Sequence, residues 1–220
     1  MIGQGVYTLS EVSQFTKVPL ATVRSWFKQR PDGKGKGPVF ESDYEPVGDD
    51  FAVSFLNLIE VHIASFFRDE GVKPKIIRRA HEILQQELHT PHPFAHEDLS
   101  TDGARIIREK ASGSSDAKYI DAISKQMLIP QFKDGLKSIH YNKATRLARA
   151  WGIDTGIVID PGVSFGKPVI EKTGISTNIV ANQYVANGRD AALVARLFKI
   201  TETGVISAYR FEHSYGRIAA

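Results

Sequence analysis

Near the start of the chain, apolar residues recur at the spacing of two short helices. Thr8 is placed to cap the first helix, with Glu11 three residues on in capping-box form. A turn over 16–19 follows, and Pro19 suits the start of the second helix. The pattern predicts a helix-turn-helix, whose inner faces comprise Val12, Phe15, Leu20, Val23 and either Trp26 or Phe27.

The second helix leaves an outward face that is polar and basic. Short polar side chains and an arginine on an exposed helix can reach base edges and phosphates in the DNA major groove. Further basic residues follow in a glycine-rich stretch, where Val39–Phe40 and Tyr44 are predicted to form the short strands of a wing. The alternative is an ordinary solvated surface. The predicted DNA-binding residues are Ala21, Thr22, Arg24, Ser25, Lys28, Arg30, Lys34 and Lys36.

Two longer amphipathic helices are predicted next. The first spans 51–68 and is strongly apolar, and the second opens at Pro74 and carries an apolar stripe to Leu88. Their combined apolar surface is large for a small domain, so we expect part of it to form a homodimer interface, with core packing as the alternative.

The middle of the chain has a different character. His89, His92 and His96 lie close together, but their spacing matches no standard zinc pattern, so no metal site is predicted. Asp102–Gly103 is predicted to form a hairpin turn. Gly135 is predicted to be a turn between two strands, the second of them in 136–141. The region indicates a small β-containing connector without assignable chemistry.

The C-terminal part predicts a second compact unit. Short β-type runs separated by glycine and proline come first, over 157–177. Three helices follow, with Thr177, Asp190 and Thr201 as their predicted caps. Short turns between three helices produce a second helix-turn-helix topology. This unit is a candidate for either DNA or protein contact.

Together these elements predict a mainly α protein with short β elements, of α+β class. The predicted domains are a winged helix-turn-helix with a helical hairpin over 1–88, a β-containing connector over 89–155 and a trihelical domain over 156–220. The chain has 220 residues, a net charge of +3 and no cysteine, which excludes disulfides and thiolate sites. Without a signal peptide or an apolar run long enough for a bilayer, a cytoplasmic protein is expected.

The N-terminal motif, Y-T-L-S-E-V followed by V-P-L-A-T-V-R-S-W, resembles the start of MerR-type winged helix-turn-helix regulators. Lys17 stands where that family usually has glycine, and Ser25 where it often has tyrosine. The motif D-P-x-x-x-x-G-K-P-V-I-x-x-T-G-I-x-T over 160–177 resembles a small bacterial domain of unknown function that is often found in antitoxins. In their order, the segments resemble the larger antitoxins of VapBC-type toxin–antitoxin systems.

The resemblance implies a DNA-binding antitoxin of a type II system, which represses its own operon and blocks a PIN-domain ribonuclease toxin. Arg217 is a candidate toxin-binding residue, because an arginine can pair with carboxylates that would otherwise hold a metal. The alternatives are a MerR-like regulator without a toxin and a protein-binding adaptor. The chain carries no standard catalytic signature, so neither an enzyme nor a cofactor is predicted.

Overall fold

The computed structural model describes residues 5–28, 37–45, 51–101, 103–104, 123–125, 127 and 130–215. They fall into two compact units, and the division lies between Ala148 and Arg149. We call residues 6–148 the N-terminal unit, and residues from Arg149 onward, together with Gly5, the C-terminal unit. The mixture of many helices with a few short strands confirms the predicted α+β class.

The N-terminal unit is built on helices. A two-stranded antiparallel ladder pairs β1 (Tyr7–Thr8) with β2 (Ala52–Val53), so that Tyr7 opposes Val53. The unit also contains a 3₁₀ turn at Pro93–Ala95 and a short strand, β3 (Ile139–Tyr141). Its helices of four residues or more are α1 (Leu9–Thr16), α2 (Leu20–Phe27), α3 (Phe55–Asp69), α4 (Pro74–Leu88), α5 (Asp98–Thr101) and α6 (Pro130–Lys137).

Local signals explain where these helices begin and end. Thr8 and Glu11 form the predicted capping box, with the Glu11 amide donating to Thr8 Oγ1 at 3.2 Å. α3 starts at Phe55 instead of residue 51, because Ser54 and Asn57 form a second capping box there. α4 opens at Pro74 as predicted.

Three predictions for this unit are wrong. Val39–Phe40 and Tyr44 form no strands; the first two residues are buried, and their amides donate to the Trp26 carbonyl. Gly103 is helical, not part of a hairpin turn. Gly135 lies inside α6, where a Cβ atom would come within 2.3 Å of the Phe66 ring. Close packing therefore explains this glycine, which the sequence pattern indicated as a chain reversal.

The C-terminal unit begins with an antiparallel meander of β4 (Ala148–Asp154), β5 (Ile157–Ile159) and β6 (Val169–Ile170). Trp151 opposes Ile159, and Val158 opposes Val169. Three helices follow: α7 (Thr177–Ala186), α8 (Ala191–Phe198) and α9 (Glu202–Ser214). None of the helices that the structure describes is long and apolar enough to cross a bilayer.

Two of the three predicted caps in this unit are confirmed. The Leu193 amide donates to Asp190 at 2.9 Å, and the Gly204 amide donates to Thr201 at 3.1 Å. Thr177 does not cap α7; it is the first helical residue, after Ser176. Its amide instead donates to the Pro168 carbonyl at 3.0 Å, and its buried hydroxyl donates to the carboxylate of Glu212 in α9. Thr177 therefore joins the first helix to the last.

Candidate nucleic-acid interface

The turn between α1 and α2 is tight and internally bonded. Lys17 adopts the left-handed conformation, with φ +58°, and thereby reverses the chain after α1. Ser13 Oγ donates to the Val18 carbonyl at 2.7 Å, across the turn. The Pro19 carbonyl accepts from the Thr22 and Val23 amides. The left-handed backbone explains why glycine suits position 17, because a residue with a side chain pays a steric cost in this conformation.

The inner face of α2 is anchored in the core. Val23, Trp26 and Phe27 are all buried, so both aromatic candidates for the inner face lie inside. Phe40 packs edge-on against Trp26 and also contacts Phe27, with ring centroids 5.9 and 5.8 Å apart. The sequence pattern thus identified the buried side of this helix.

The outer face of α2 is free of this packing. Ala21, Arg24, Ser25 and Lys28 are exposed, and Thr22 is half-buried beside them. Ser25 Oγ is hydrogen-bonded to the Thr22 carbonyl at 2.7 Å, which orients the serine along its own helix. Lys28 Nζ lies 5.2 Å from the centre of the Phe51 ring, a cation–π contact that directs this ammonium group.

Four of the predicted DNA contacts that the structure describes therefore lie on α2, and the fifth, Lys28, directly follows it. The remaining predicted contacts, Arg30, Lys34 and Lys36, and the predicted toxin contact Arg217 lie outside the described residues. Lys17, also exposed, adds a third cation near the start of α2. A face of short side chains between cations can approach both base edges and phosphates.

Behind α2, residues 37–45 form a segment that we call the brace. The amides of Val39 and Phe40 donate to the Trp26 carbonyl at 2.8 and 3.0 Å, which satisfies an acceptor in the last turn of α2. Arg78 Nε of α4 donates to the Pro38 carbonyl at 3.0 Å. The brace thus connects the end of α2 to the helical hairpin.

A buried ionic network holds the other end of the brace. His92 Nδ1 lies 3.1 Å from Glu60 Oε2 in α3, and His92 Nε2 lies 3.0 Å from Asp43 Oδ1 in the brace. His81 Nε2 in α4 lies 2.7 Å from Glu60 Oε1. An ionised carboxylate only accepts hydrogen bonds, so both nitrogens of His92 donate and the ring is an imidazolium.

The electrostatics of the network agree with that protonation. Burial alone would lower the pKa of His92, but hydrogen bonds and charge from Glu60 and Asp43 outweigh it and raise the pKa. Burial alone would raise the pKa of Glu60, yet His81 and His92 lower it, so the carboxylate stays charged. Sequence reasoning treated His92 only as a possible metal ligand. A glutamate within the apolar face of α3 was the signal that could have revealed this network.

Comparisons with known proteins relate the chain to an antitoxin. A family model described as "Protein of unknown function (DUF433)" matches residues 157–211, in the C-terminal unit. The chain is 27% identical over 191 residues to "Putative antitoxin VapB45" from Mycobacterium tuberculosis, covering 77% of this chain and 78% of the relative. The crystal structure of Rv2018 from the same organism superposes with a TM-score of 0.76 at 25% identity, covering 92% and 95% of the two chains.

Proposed function

We propose that this chain is a DNA-binding antitoxin of a type II toxin–antitoxin system, which represses its own operon and inhibits a PIN-domain ribonuclease. The observation that carries the proposal is the similarity to an antitoxin, which extends over 191 residues and therefore beyond the family match at 157–211. The outer face of α2 supplies the DNA-reading element. We propose the protein acts as a homodimer, since operators commonly have two half-sites.

The geometry behind α2 supports a DNA-reading role. A recognition helix must hold its side chains in place on the duplex, and here the brace and the aromatic cluster around Phe40 fix the buried side of α2. Arg24 is exposed in the last turn of α2, and Lys28 is exposed directly after the helix ends. We assign base and phosphate contact to α2, and phosphate contact to Arg30, Lys34 and Lys36.

Toxin inhibition is the second half of the proposal. A metal-dependent ribonuclease holds its metal with carboxylates, and an arginine that pairs with them competes with the metal. We assign this role to Arg217. Co-expression of the product of the neighbouring reading frame tests it: if that product arrests growth, the arrest should be relieved by the wild-type chain and less so by Arg217→Ala. Arrest that the wild-type chain cannot relieve would contradict the antitoxin role.

Operator binding is tested with the DNA upstream of the gene. Arg24→Ala and Lys28→Ala should each weaken binding, and each lost phosphate contact should reduce the slope of log affinity against log salt by about one. Lys137→Ala is the matched control, because this exposed lysine lies on α6 and pairs with Asp134 at 2.8 Å. Unchanged affinity and salt slope in both α2 variants would refute the assignment of α2.

A MerR-like regulator without a toxin is the second candidate. It is favoured by the order of elements in the N-terminal unit, where a helix-turn-helix is followed by the helix pair α3 and α4. Both candidates require the same DNA reader, so α2 variants do not separate them. The neighbouring reading frame does: a product that neither arrests growth nor binds this chain would favour the regulator.

A further inference from the structure

The turn between β5 and β6 presents an aromatic side chain to solvent. Phe165 is 87% exposed, the highest value among the large apolar side chains that the structure describes as exposed. An exposed phenylalanine leaves its apolar surface in contact with water, which hydrophobicity disfavours. Its position therefore requires an explanation other than core packing.

The backbone at Phe165 is also strained. Ser164, Phe165 and Gly166 have φ values of +48°, +56° and +79°, so three consecutive residues adopt the left-handed conformation. Glycine adopts it without steric cost, whereas a bulky residue such as phenylalanine rarely does. A sequence selected for stability alone would place glycine or asparagine at position 165. Strain of this kind concentrates where a protein binds a ligand or a partner.

The rest of the turn holds this conformation rigidly. Ser164 Oγ donates to the Gly174 carbonyl at 3.0 Å, and the Lys167 amide donates to the Ser164 carbonyl at 3.1 Å. Pro161, Gly166 and Pro168 are buried at the base of the turn. Phe165 therefore extends from a fixed support, and binding through it would cost little conformational entropy.

The charges beside Phe165 indicate the kind of partner. Lys167 is exposed two residues away, whereas the exposed Lys172 in the next turn lies 3.9 Å from the carboxylate of Glu171, so Lys167 carries the net positive charge beside Phe165. A partner surface complementary to this turn has an apolar pocket bordered by carboxylates. On the basis of the proposed function, we propose that Phe165 is the anchor by which the C-terminal unit binds the ribonuclease toxin, in such a pocket.

Two other occupants fit the turn less well. Proteins that bind single-stranded nucleic acid stack successive bases on several aromatic rings along a basic groove, whereas this turn offers one exposed ring. A second copy of this chain would have to place Lys167 against a complementary acidic surface of its own. A toxin built around a carboxylate-bound metal provides the acidic surface directly.

The test uses the whole chain and the purified product of the neighbouring reading frame, which the proposed function requires to be the ribonuclease. Phe165→Asn removes the ring, and it relieves strain because asparagine tolerates left-handed backbone. We expect its dissociation constant for the ribonuclease to rise about 30-fold or more, the value for an interface hot spot. Its thermal midpoint should stay the same or rise by about 2–4 °C. Phe165→Tyr should bind within about threefold of wild type, since it keeps an aromatic ring.

Leu197→Asn is the matched control, because Leu197 is a 59% exposed apolar residue on α8 of the same unit. Its binding should equal that of wild type. Lys167→Ala should slow association and weaken its dependence on salt. If wild type binds the ribonuclease and Phe165→Asn binds equally well, the inference fails and the proposed function stands.

Further outcomes also decide the question. If the wild-type chain does not bind the ribonuclease, the inference and the proposed function both fail. If Phe165→Asn keeps ribonuclease binding but lowers the sedimentation coefficient of the chain alone, the occupant is a second copy. If it loses binding only to a fluorescent single-stranded RNA, the occupant is nucleic acid. Either of these last results overturns the assignment to the toxin.

Discussion

The two compact units contain the same small motif but expose different chemistry. In the N-terminal unit, Lys17 at φ +58° joins α1 to α2, and in the C-terminal unit, Lys199 at φ +55° ends α8 before α9. The first turn of α2 exposes Ala21, whereas the first turn of α9 exposes Glu202. An acidic side chain there repels phosphate, although it stabilises the helix. Side-chain chemistry, not topology, therefore separates the proposed DNA-reading motif from its counterpart.

The interiors of the two units differ as well. Each buries a glutamate completely, Glu60 in one and Glu212 in the other. Glu60 meets two histidines and forms ion pairs, while Glu212 is hydrogen-bonded to the hydroxyl of Thr177. The N-terminal unit thus contains a buried network of ion pairs centred on Glu60. Two experiments test that network, and a third compares the two left-handed lysines.

The largest effect is expected from Glu60→Ala. It leaves a buried imidazolium without its carboxylate, and breaking a buried ion pair in this way costs about 3–5 kcal/mol. The free energy of unfolding of the N-terminal unit, measured in urea, should fall accordingly. Glu82→Ala is the matched control, since this half-exposed glutamate pairs with Arg79 on the surface and should cost at most about 1 kcal/mol. Equal losses in the two variants would contradict the ionic network.

The second largest effect concerns pH. The free energy of unfolding of the N-terminal unit should be greatest near the ordinary histidine pKa, about 6.5. His92 has a raised pKa, so its contribution is complete below that pH and is lost as pH rises through the raised value. Burial lowers the pKa of His62 to about 4, so the folded state keeps this ring neutral while the unfolded state gains a proton as pH falls below 6.5. The free energy of unfolding should therefore fall between pH 6.5 and 4, by up to about 3 kcal/mol.

Urea unfolding at a series of pH values measures both declines in the free energy of unfolding, on the acidic and on the alkaline side of the maximum. His92→Gln should remove the decline on the alkaline side, and His62→Gln should reduce the decline on the acidic side. A profile for the N-terminal unit that keeps rising above pH 7 would refute the imidazolium assignment.

The smallest effect compares the two left-handed lysines. Lys17→Gly and Lys199→Gly should each stabilise their own unit by about 0.5–1 kcal/mol, because glycine removes the steric cost of this conformation but loses more entropy on folding. Thermal unfolding measures the gain. Only Lys17→Gly should also weaken operator binding, since it removes a cation beside α2. A loss of operator binding in Lys199→Gly would instead implicate the C-terminal unit in DNA contact.

Local sequence signals predicted much of the fold. The capping residues Thr8, Asp190 and Thr201 were correctly located because a cap involves only its own helix turn. The strand β4 was missed, because alanine, arginine and glycine carry little β-propensity and its pairing with β5 is decided by the neighbouring strand. Gly135 was misassigned for a similar reason, since its neighbour Phe66 is far away in sequence.

The sequence by itself determined which side of α2 is buried and which residues remain outward, because helical periodicity is a local property of the chain. Only the tertiary structure decided that His92 lies between Glu60 and Asp43, residues 32 and 49 positions away. It also decided that Phe165 is held in a left-handed turn facing solvent. The partners and the exposure of a side chain depend on which distant segments pack against each other, and the spacing of residues along the chain does not specify that packing.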